Sequence, residues 1–326
     1  MVGQNYTKLK LNTEKVTDSS VSESILDNFI NFYDWGLLDA GGFYNINMPQ
    51  SGIYGGDRHQ MRMVDTPNYT DGQVWEGYRK NWVWEGSGNI DGVSEQPIDI
   101  SGVYVDSTFY DNANVTHPFY IDYPNGRVVF DSPIPTSSTV EVEYSHKRVS
   151  VIPSEGVSWF RQIQQNSFRN EKDFQVQGSG GWVQLGQSRI QLPAIAIEVV
   201  PAKNTKPYEL GGGQWVHTDV IFYTITENHW ECLNLVDTVV AQNDRTIEMF
   251  DPTEVAASGV SPFTFENGRQ RELRGHAVPS GLYPNLVDNF NLGKCWIFDT
   301  RGGDITQLSP DLYMGVTRCT TEVGPL

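Results

Sequence analysis

Few side chains in this sequence have both the type and the spacing that chemistry requires. His217 and Asp219 lie two positions apart in a segment that reads as a strand, so they share a face and could form an acid–base pair. His229, beside Trp230 and Cys232 at the start of a predicted helix, could mark a nucleophile region. We interpret the first pair as a solvated strand face and the second group as capping or packing residues.

The spacing of ligand-type residues predicts no metal or cofactor site. None of the six histidines stands in an HExxH, CxxC or comparable pattern. The glycine run Gly211, Gly212 and Gly213 lacks the Gly-Lys-Ser/Thr context of a phosphate-binding loop. Acidic residues occur throughout the chain, so no catalytic carboxylate pair can be singled out. We therefore expect no catalytic residue, no cofactor and no enzyme activity.

The charge of the chain is unusual. The 326 residues include 23 basic and 40 acidic side chains, which gives a net charge of -17 and a pI of about 4.7. Such a balance excludes a surface that holds nucleic acid by neutralising its phosphates. It is compatible with a conduit through which DNA slides without sticking, and solubility alone is the other explanation.

The cysteines and the N-terminus indicate the compartment. Cys232, Cys295 and Cys319 are scattered and odd in number, which favours free thiols in a reducing cytoplasm. The opening residues MVGQNYTKLKLNTEK contain no apolar core of a signal peptide, and no apolar run approaches the roughly 20 residues of a membrane span. We expect a chain that is made and used inside a cell, without a membrane partner.

One supersecondary unit is readable between Lys206 and Asp251. The glycine run predicts a flexible turn, and 216–226 predicts a long strand of β-branched and aromatic residues. A helix face follows at spacings of three and four, and 246–250 predicts a short strand that Pro252 is expected to end. The residues of the helix face are Cys232, Leu235, Val236, Val239 and Val240.

The N-terminal third predicts an arm, a helix and then strands. After a polar arm over 1–18, Ser20 and Glu23 form a capping box for a helix that fades at Gly36. Residues 39–71 have no clean period and predict a loop. Strands are expected over 73–150, with a hairpin at Asn125-Gly126, alternation at 82–84, and one strand with a wet face at 140–144.

The remaining chain predicts an α+β layer. A helix is expected over 157–168, strands over 174–185, 194–200, 295–298 and 312–319, and a long loop over 255–291. The predicted fold class is β-rich α+β, with a small antiparallel β-sandwich or barrel in the middle. The predicted domains are 1–45 for the arm and helix, 46–152 for the β-rich module and 153–326 for the α+β domain.

Two stretches resemble proteins of tailed bacteriophages. The strand, acidic break, helix and closing NDRTIEMFD of 206–251 resemble tail-completion, terminator and neck proteins, whose small α+β domains assemble as rings. FYIDYPNGRVVFDSPIPTSSTVEVEYSHKRVSV, at 119–151, resembles a β-hairpin module of phage neck and tail proteins. The resemblance implies a terminator-like C-terminal domain in a virion structural protein that is assembled in the host cytoplasm.

The resemblance also implies a role and partners. The role is a subunit of an oligomeric neck or head–tail connector ring, as tail terminator or head-completion protein. The partners are further copies of the chain, other neck, connector or tail proteins, and genomic DNA that passes through the lumen without specific binding. The interface candidates are Val21, Ile25 and Phe29 on the first helix, Trp82 and Trp84, and the turn formed by Gly211, Gly212 and Gly213.

Two other functions remain open. A carbohydrate-binding β-sandwich of a tail or baseplate protein would need Trp75, Tyr78, Trp82 and Trp84 exposed in a row, whereas such rings more commonly form a core. A β-sandwich hydrolase is the third reading, and it rests only on the abundance of acidic and aromatic residues.

Overall fold

The computed structural model describes residues 20–48, 58–65, 69–85, 95–111, 116–154, 191–209, 212–258, 263–266, 270–273 and 281–324. These residues form a mixed α+β fold that consists mostly of strands, arranged in several largely antiparallel sheets. The predicted β-rich α+β class is confirmed. The predicted arm, the helix over 157–168 and the strand over 174–185 lie outside the described residues.

The first helix, α1, spans Val21–Asp39. Its N-terminus is the predicted capping box: the Ser20 hydroxyl accepts a hydrogen bond from the Glu23 amide at 3.2 Å, and the Glu23 carboxylate accepts one from the Ser20 amide at 2.7 Å. The helix continues to Asp39, past Gly36 where it was expected to fade. A single glycine lowers helix propensity by only about 1 kcal/mol, which tertiary packing overrides.

Nine short strands form the β-rich module in three small sheets. Their order is β2-β3-β7-β6 in the four-stranded sheet, β5-β4-β8 in the three-stranded sheet, and β1-β9 in the two-stranded sheet. The strands are β1 Phe43–Ile46, β2 Arg62–Met63, β3 Val74–Glu76, β4 Gly102–Val105, β5 Thr108–Asp111, β6 Phe119–Asp122, β7 Arg127–Phe130, β8 Val140–Glu141 and β9 Tyr144–Lys147.

The hairpin at Asn125-Gly126 is confirmed. It joins β6 to β7, with Asp122 opposite Arg127. Gly126 has a φ of 63°, and a Cβ at this position would lie 2.4 Å from the carbonyl oxygen of Arg79. Only glycine meets both conditions without strain.

Three expectations for this part of the chain are wrong. Trp82 makes only an isolated bridge to His146 instead of lying in a strand with Trp84, because Asn81, with a φ of 55°, breaks the extended backbone just before it. The alternation over 140–144 is divided between β8 and β9. The predicted loop over 39–71 also contains β1 and β2, which are too short to show a period in sequence.

The second half of the chain builds one seven-stranded sheet in the order β10-β11-β12-β18-β16-β13, with β17 beside β18. β10 and β11 are parallel and the other pairs are antiparallel. The elements are β10 Ser150–Pro153, β11 Ala194–Glu209, β12 Gly212–Thr226, α2 His229–Val240, β13 Thr246–Phe250, α3 Pro252–Ser258, β14 Phe263–Glu266, β15 Gln270–Leu273, α4 Tyr283–Asn289, β16 Asn291–Gly302, β17 Thr306–Ser309 and β18 Leu312–Gly324.

The strands predicted at 194–200, 216–226, 246–250, 295–298 and 312–319 are all present, and most are longer than expected. The strand of the glycine run begins early, because Gly212 already pairs with Glu209 across the hairpin. Gly212 and Gly213 are therefore strand residues rather than turn residues, and Gly211 lies outside the described residues. A paired strand fixes glycines that would otherwise be flexible.

Pro252 does not end regular structure as predicted. It opens α3, where its missing N–H has no intrahelical partner to lose. The Asp251 carboxylate caps this helix by accepting hydrogen bonds from the Thr253 and Glu254 amides, at 2.8 and 3.4 Å. The stretch 255–291, expected to be a loop, contains most of α3, the β14–β15 hairpin and α4.

Helices α1 and α2 pack on the same face of the large sheet. The ring of Phe29 lies 5.9 Å from that of Phe222 on β12. A Cβ at Gly315 on β18 would lie 2.4 Å from Val236, so α2 sits against bare backbone there. One core thus joins α1, α2 and the sheet, and the boundary predicted at 152 falls inside β10, a strand of that sheet.

A second core fills the β-rich module. Trp82 is 1% exposed, and its ring stacks on Tyr144 at 4.2 Å between centroids. Its indole N–H donates a 2.7 Å hydrogen bond to the carbonyl of Arg79. The same core holds Trp75 and Trp84. The predicted aromatic cluster is therefore the interior of the module.

We expect Trp82→Ala to lower the free energy of unfolding by roughly 3–5 kcal/mol, because it removes a buried indole and leaves a cavity. Trp296→Ala is the matched control, since Trp296 is 41% exposed. Urea denaturation of both variants measures the difference. Equal losses for the two variants would contradict the placement of Trp82 in the core.

Candidate functional site

The structure places the apolar interface candidates inside this chain. Ile25 and Phe29 are 0% exposed and belong to the core of the large sheet, and Val21 packs half-buried against that core. Trp82 and Trp84 are 1% and 5% exposed in the core of the β-rich module. Their apolar surface is already covered, so surfaces for a partner must be sought elsewhere.

The same burial bears on sugar stacking. A sugar platform needs open ring faces. Trp75, Tyr78, Trp82 and Trp84 are all at most 9% exposed. Trp75 also donates its indole N–H to the Gly72 carbonyl at 3.0 Å. These four rings offer no face for stacking on a glycan.

His217 and Asp219 share a strand face, as predicted, but each pairs across to β18 and not with the other. His217 Nε2 lies 2.8 Å from Glu322, and Asp219 accepts hydrogen bonds from Arg318 and Thr320. Partial burial alone would raise the pKa of Asp219, and the hydrogen bonds from Arg318 and Thr320 lower it below its usual value. Both side chains thus make cross-strand contacts on a half-exposed face, and the contact of Asp219 with Arg318 is an ion pair.

The cysteines are buried and unreactive thiols. Cys232 donates weakly to the Thr224 carbonyl at 3.6 Å, and burial raises its pKa. Burial also raises the pKa of Cys295, and that of Cys319 to about 12. A nucleophilic cysteine needs the opposite shift. His229 does not activate Cys232, since its ring packs edge-on against Trp230 and Tyr313.

A buried ion cluster, not expected from the sequence, connects the two cores. Lys147 on β9 is an ammonium with 5% exposure that contacts Asp34 on α1 and lies 2.7 Å from Glu85. Burial raises the pKa of Glu85 to about 7, although Lys147 acts against that rise. The two carboxylates hold the pKa of Lys147 above its usual value in spite of its burial. Lys147 and Glu85 are buried and Asp34 is partly exposed, so the cluster joins the interior of the module to the edge of α1.

The hairpin of β11 and β12 extends beyond the rest of the sheet. β18 pairs with β12 only from Val216 to Thr226, so the β12 residues before Val216 pair with β11 alone among the described residues. Every residue from Pro201 to Pro207 is exposed. We call 201–207 together with Gln214 and Trp215 the ribbon. Its residues 203–205 lie opposite β12 residues that also pair with β18, and its two-stranded part begins at Lys206.

A bulge sets the direction of the ribbon. The register of β11 on β12 shifts between Val199 and Lys203. The buried Thr218 hydroxyl donates to the bulge, with the carbonyls of Val200 and Ala202 at 2.9 and 3.3 Å. A bulge bends the strand that carries it. The ribbon therefore leaves the sheet at an angle that a specific contact holds.

Exposed aromatic rings occur at the other end of β12. Trp230 is 70% exposed, and the rings of Trp230, His229 and Tyr313 follow one another edge to face at 5.6 and 5.5 Å. We call these three residues the aromatic row. The sequence analysis predicted neither the row nor the ribbon. The available signal for the ribbon was a pair of lysines between two prolines, and the signal for the row was a tryptophan at the polar start of a helix.

The described residues contain neither a metal-ligand cluster nor a helix that could span a membrane. No group of three or more His, Cys, Asp or Glu side chains there could hold a metal ion. No helix within that part of the chain is long and apolar enough to cross a membrane.

No protein-family model matches this chain, and no curated protein matches it.

His146, on β9 beside Lys147, is a buried histidine kept neutral. Burial, together with the charges of Arg79 and Arg58, lowers its pKa from 6.5 to about 4. Its ring lies 5.5 Å from that of Tyr44. Between these two values the unfolded chain binds a proton that the folded chain does not, so stability falls as pH falls from 6.5 to 4.

We expect His146→Gln to flatten this acid-side loss of stability by as much as roughly 3 kcal/mol, which is the free energy that corresponds to lowering a pKa from 6.5 to about 4. Glu85, with its raised pKa, acts in the opposite direction, since the folded chain keeps its proton while the unfolded chain loses it as pH rises to about 7. Comparing His146→Gln and Glu85→Gln with the parent by denaturation at pH 4.5, 5.5 and 7 separates the two. An unchanged slope in His146→Gln would refute the assignment.

Proposed function

We propose that this chain is a structural protein of a tailed-phage virion: a subunit of an oligomeric ring at the neck or head–tail connector, in a tail-terminator or head-completion role. Its action is mechanical, without catalysis. The C-terminal α+β layer, which we take to be terminator-like, packs side by side with its neighbours in the ring. The N-terminal arm and the β-rich module reach adjacent rings or the outside of the particle.

The observation that carries the proposal is the ribbon. The end of the β11–β12 hairpin, from Lys206 and Trp215 onward, is two-stranded and buries too little surface to stabilise itself, since an isolated two-stranded hairpin is marginal in water. Such an element is explained when a neighbouring subunit covers it. The rest of the sheet supplies a rigid base, because α1 and α2 share a core with it.

The acidic balance supports the conduit. A net charge of -17 repels DNA phosphates, so DNA can pass such a protein without being held. Cross-strand pairs on the half-exposed sheet face neutralise the few cations there, as Asp219 does for Arg318. Genomic DNA then passes through the ring without being bound. The lasting partners are further copies of the chain and other neck, connector or tail proteins.

The ring predicts that each copy contacts at least two others. Size-exclusion chromatography with light scattering should give a mass several times the 36.7 kDa of the chain, and negative-stain electron microscopy should show closed rings. An isolated copy without a repeated neighbour in the particle that contains it would contradict the proposal.

The conduit predicts no measurable affinity for duplex DNA at physiological salt. Nonspecific DNA binders reach dissociation constants of roughly 10⁻⁴ to 10⁻⁶ M there. Fluorescence anisotropy with a labelled duplex, and a basic protein as positive control, measures this. Binding that tightens steeply as salt is lowered would overturn the conduit role.

A further inference from the structure

The ribbon concentrates positive charge in an acidic protein. Between Pro201 and Pro207 the charged residues are Lys203 and Lys206, and both are exposed. Lys203 lies opposite Thr218 and Lys206 opposite Trp215 in the β11–β12 register. Side chains alternate along a strand, so these two positions face opposite sides. The ribbon therefore carries a cation on each of its faces.

The aromatic row lies among carboxylates. Thr226, the last residue of β12, pairs with Tyr313 of the row. Glu227 directly follows Thr226, and Asp311 stands two positions before Tyr313. Both residues are exposed. The guanidinium of Arg148 near the row lies 3.3 Å from Glu231, so that cation already has a carboxylate partner. The row is thus an aromatic strip at an acidic end of the sheet, with His229 and Trp230 exposed and Tyr313 half-buried.

The two surfaces are complementary but cannot meet within one copy. The stretch of β12 from Trp215 to Thr226 separates them by about 35 Å, at roughly 3.4 Å per residue. We propose that the ribbon of one copy docks on the aromatic row of the next, with Lys206 facing Asp311 and the ring of Trp230. This inference rests on the proposed ring, for which it names the contact.

Side chains, not backbone, make this contact. Pro201 and Pro207 lack an N–H, and proline and lysine on an edge strand oppose the addition of a further strand. A lysine ammonium over an exposed indole adds a cation–π attraction to the ion pair. Exposed tryptophans are also the residues that most often dominate an interface.

The contact is heterologous, since it joins two different surfaces. Such a contact repeats from copy to copy, and it closes into a ring when the rotation between neighbours divides a full turn. Each copy therefore needs both surfaces to continue the assembly. A copy that lacks one surface can still bind one neighbour through the other.

This property gives a sharp test with three proteins. The first is the parent chain. The second is the ribbon variant, Lys206→Glu, and the third is the row variant, Trp230→Ala with Asp311→Asn. All altered side chains are exposed, and thermal melting confirms that the variants fold. Light scattering at the concentration at which the parent assembles measures the mass of each protein alone and of the two variants mixed in equal amounts.

We expect each variant alone to be a monomer, with self-association weakened by about tenfold or more. The equimolar mixture should form one-to-one dimers and nothing larger, because a single intact ribbon and a single intact row remain in each pair. Two control variants should assemble like the parent. Lys294→Glu reverses the charge of an exposed lysine outside the ribbon, and Phe109→Ala removes an aromatic ring that is 45% exposed outside the row.

The outcomes separate this inference from the ring itself. If the parent and both variants form rings, the contact between the ribbon and the aromatic row is overturned, whereas the proposed ring is supported. Monomers in the equimolar mixture, or loss of assembly in Lys294→Glu, would also overturn it. A parent that never assembles would overturn the ring, and the contact with it.

Discussion

The arrangement of the whole chain depends on the neutralisation of one buried ammonium. Lys147 belongs to the β-rich module, whereas Asp34 belongs to α1, which packs on the large sheet. A buried charge is tolerated only when it is paired and hydrogen-bonded. The carboxylates of Asp34 and Glu85 must therefore remain in contact with the Lys147 ammonium. The cluster therefore fixes α1 to the module on one side while apolar packing fixes it to the sheet on the other. These three side chains, together with the apolar packing of Trp35 and Leu38 on α1 against the module, hold the two cores in one arrangement.

Local signals predicted the parts of the fold that are decided locally. The capping box of Ser20 and Glu23, the Asn125-Gly126 turn and the apolar period of α2 depend on neighbours within a few residues, and each was readable in sequence. Pro252 was misread because the same residue ends one element and begins another, and only the capping carboxylate of Asp251 decides between them. The class of the fold followed from such local patterns.

What the sequence could not supply was long-range. Nothing near Lys147 in the chain indicates Asp34, which is 113 positions away. Whether a tryptophan is core or surface is likewise a property of the packed structure: Trp82 and Trp230 stand in equally polar neighbourhoods, yet one is 1% and the other 70% exposed. Among the interface candidates, the apolar side chains of Ile25, Phe29, Trp82 and Trp84 are ones that this chain buries in its own cores. The surfaces left for partners are charged and aromatic instead.

The bulge between Val199 and Lys203 gives one hydroxyl control over geometry at a larger scale. The angle at which the ribbon leaves the sheet depends on the hydrogen bonds of Thr218 to two carbonyls of β11. In a chain of repeated contacts, the angle at each contact adds up around the axis, and this sum separates a closed circle from an open helix. In the proposed ring, this local backbone irregularity would set the curvature of the assembly, and with it the diameter of the central opening.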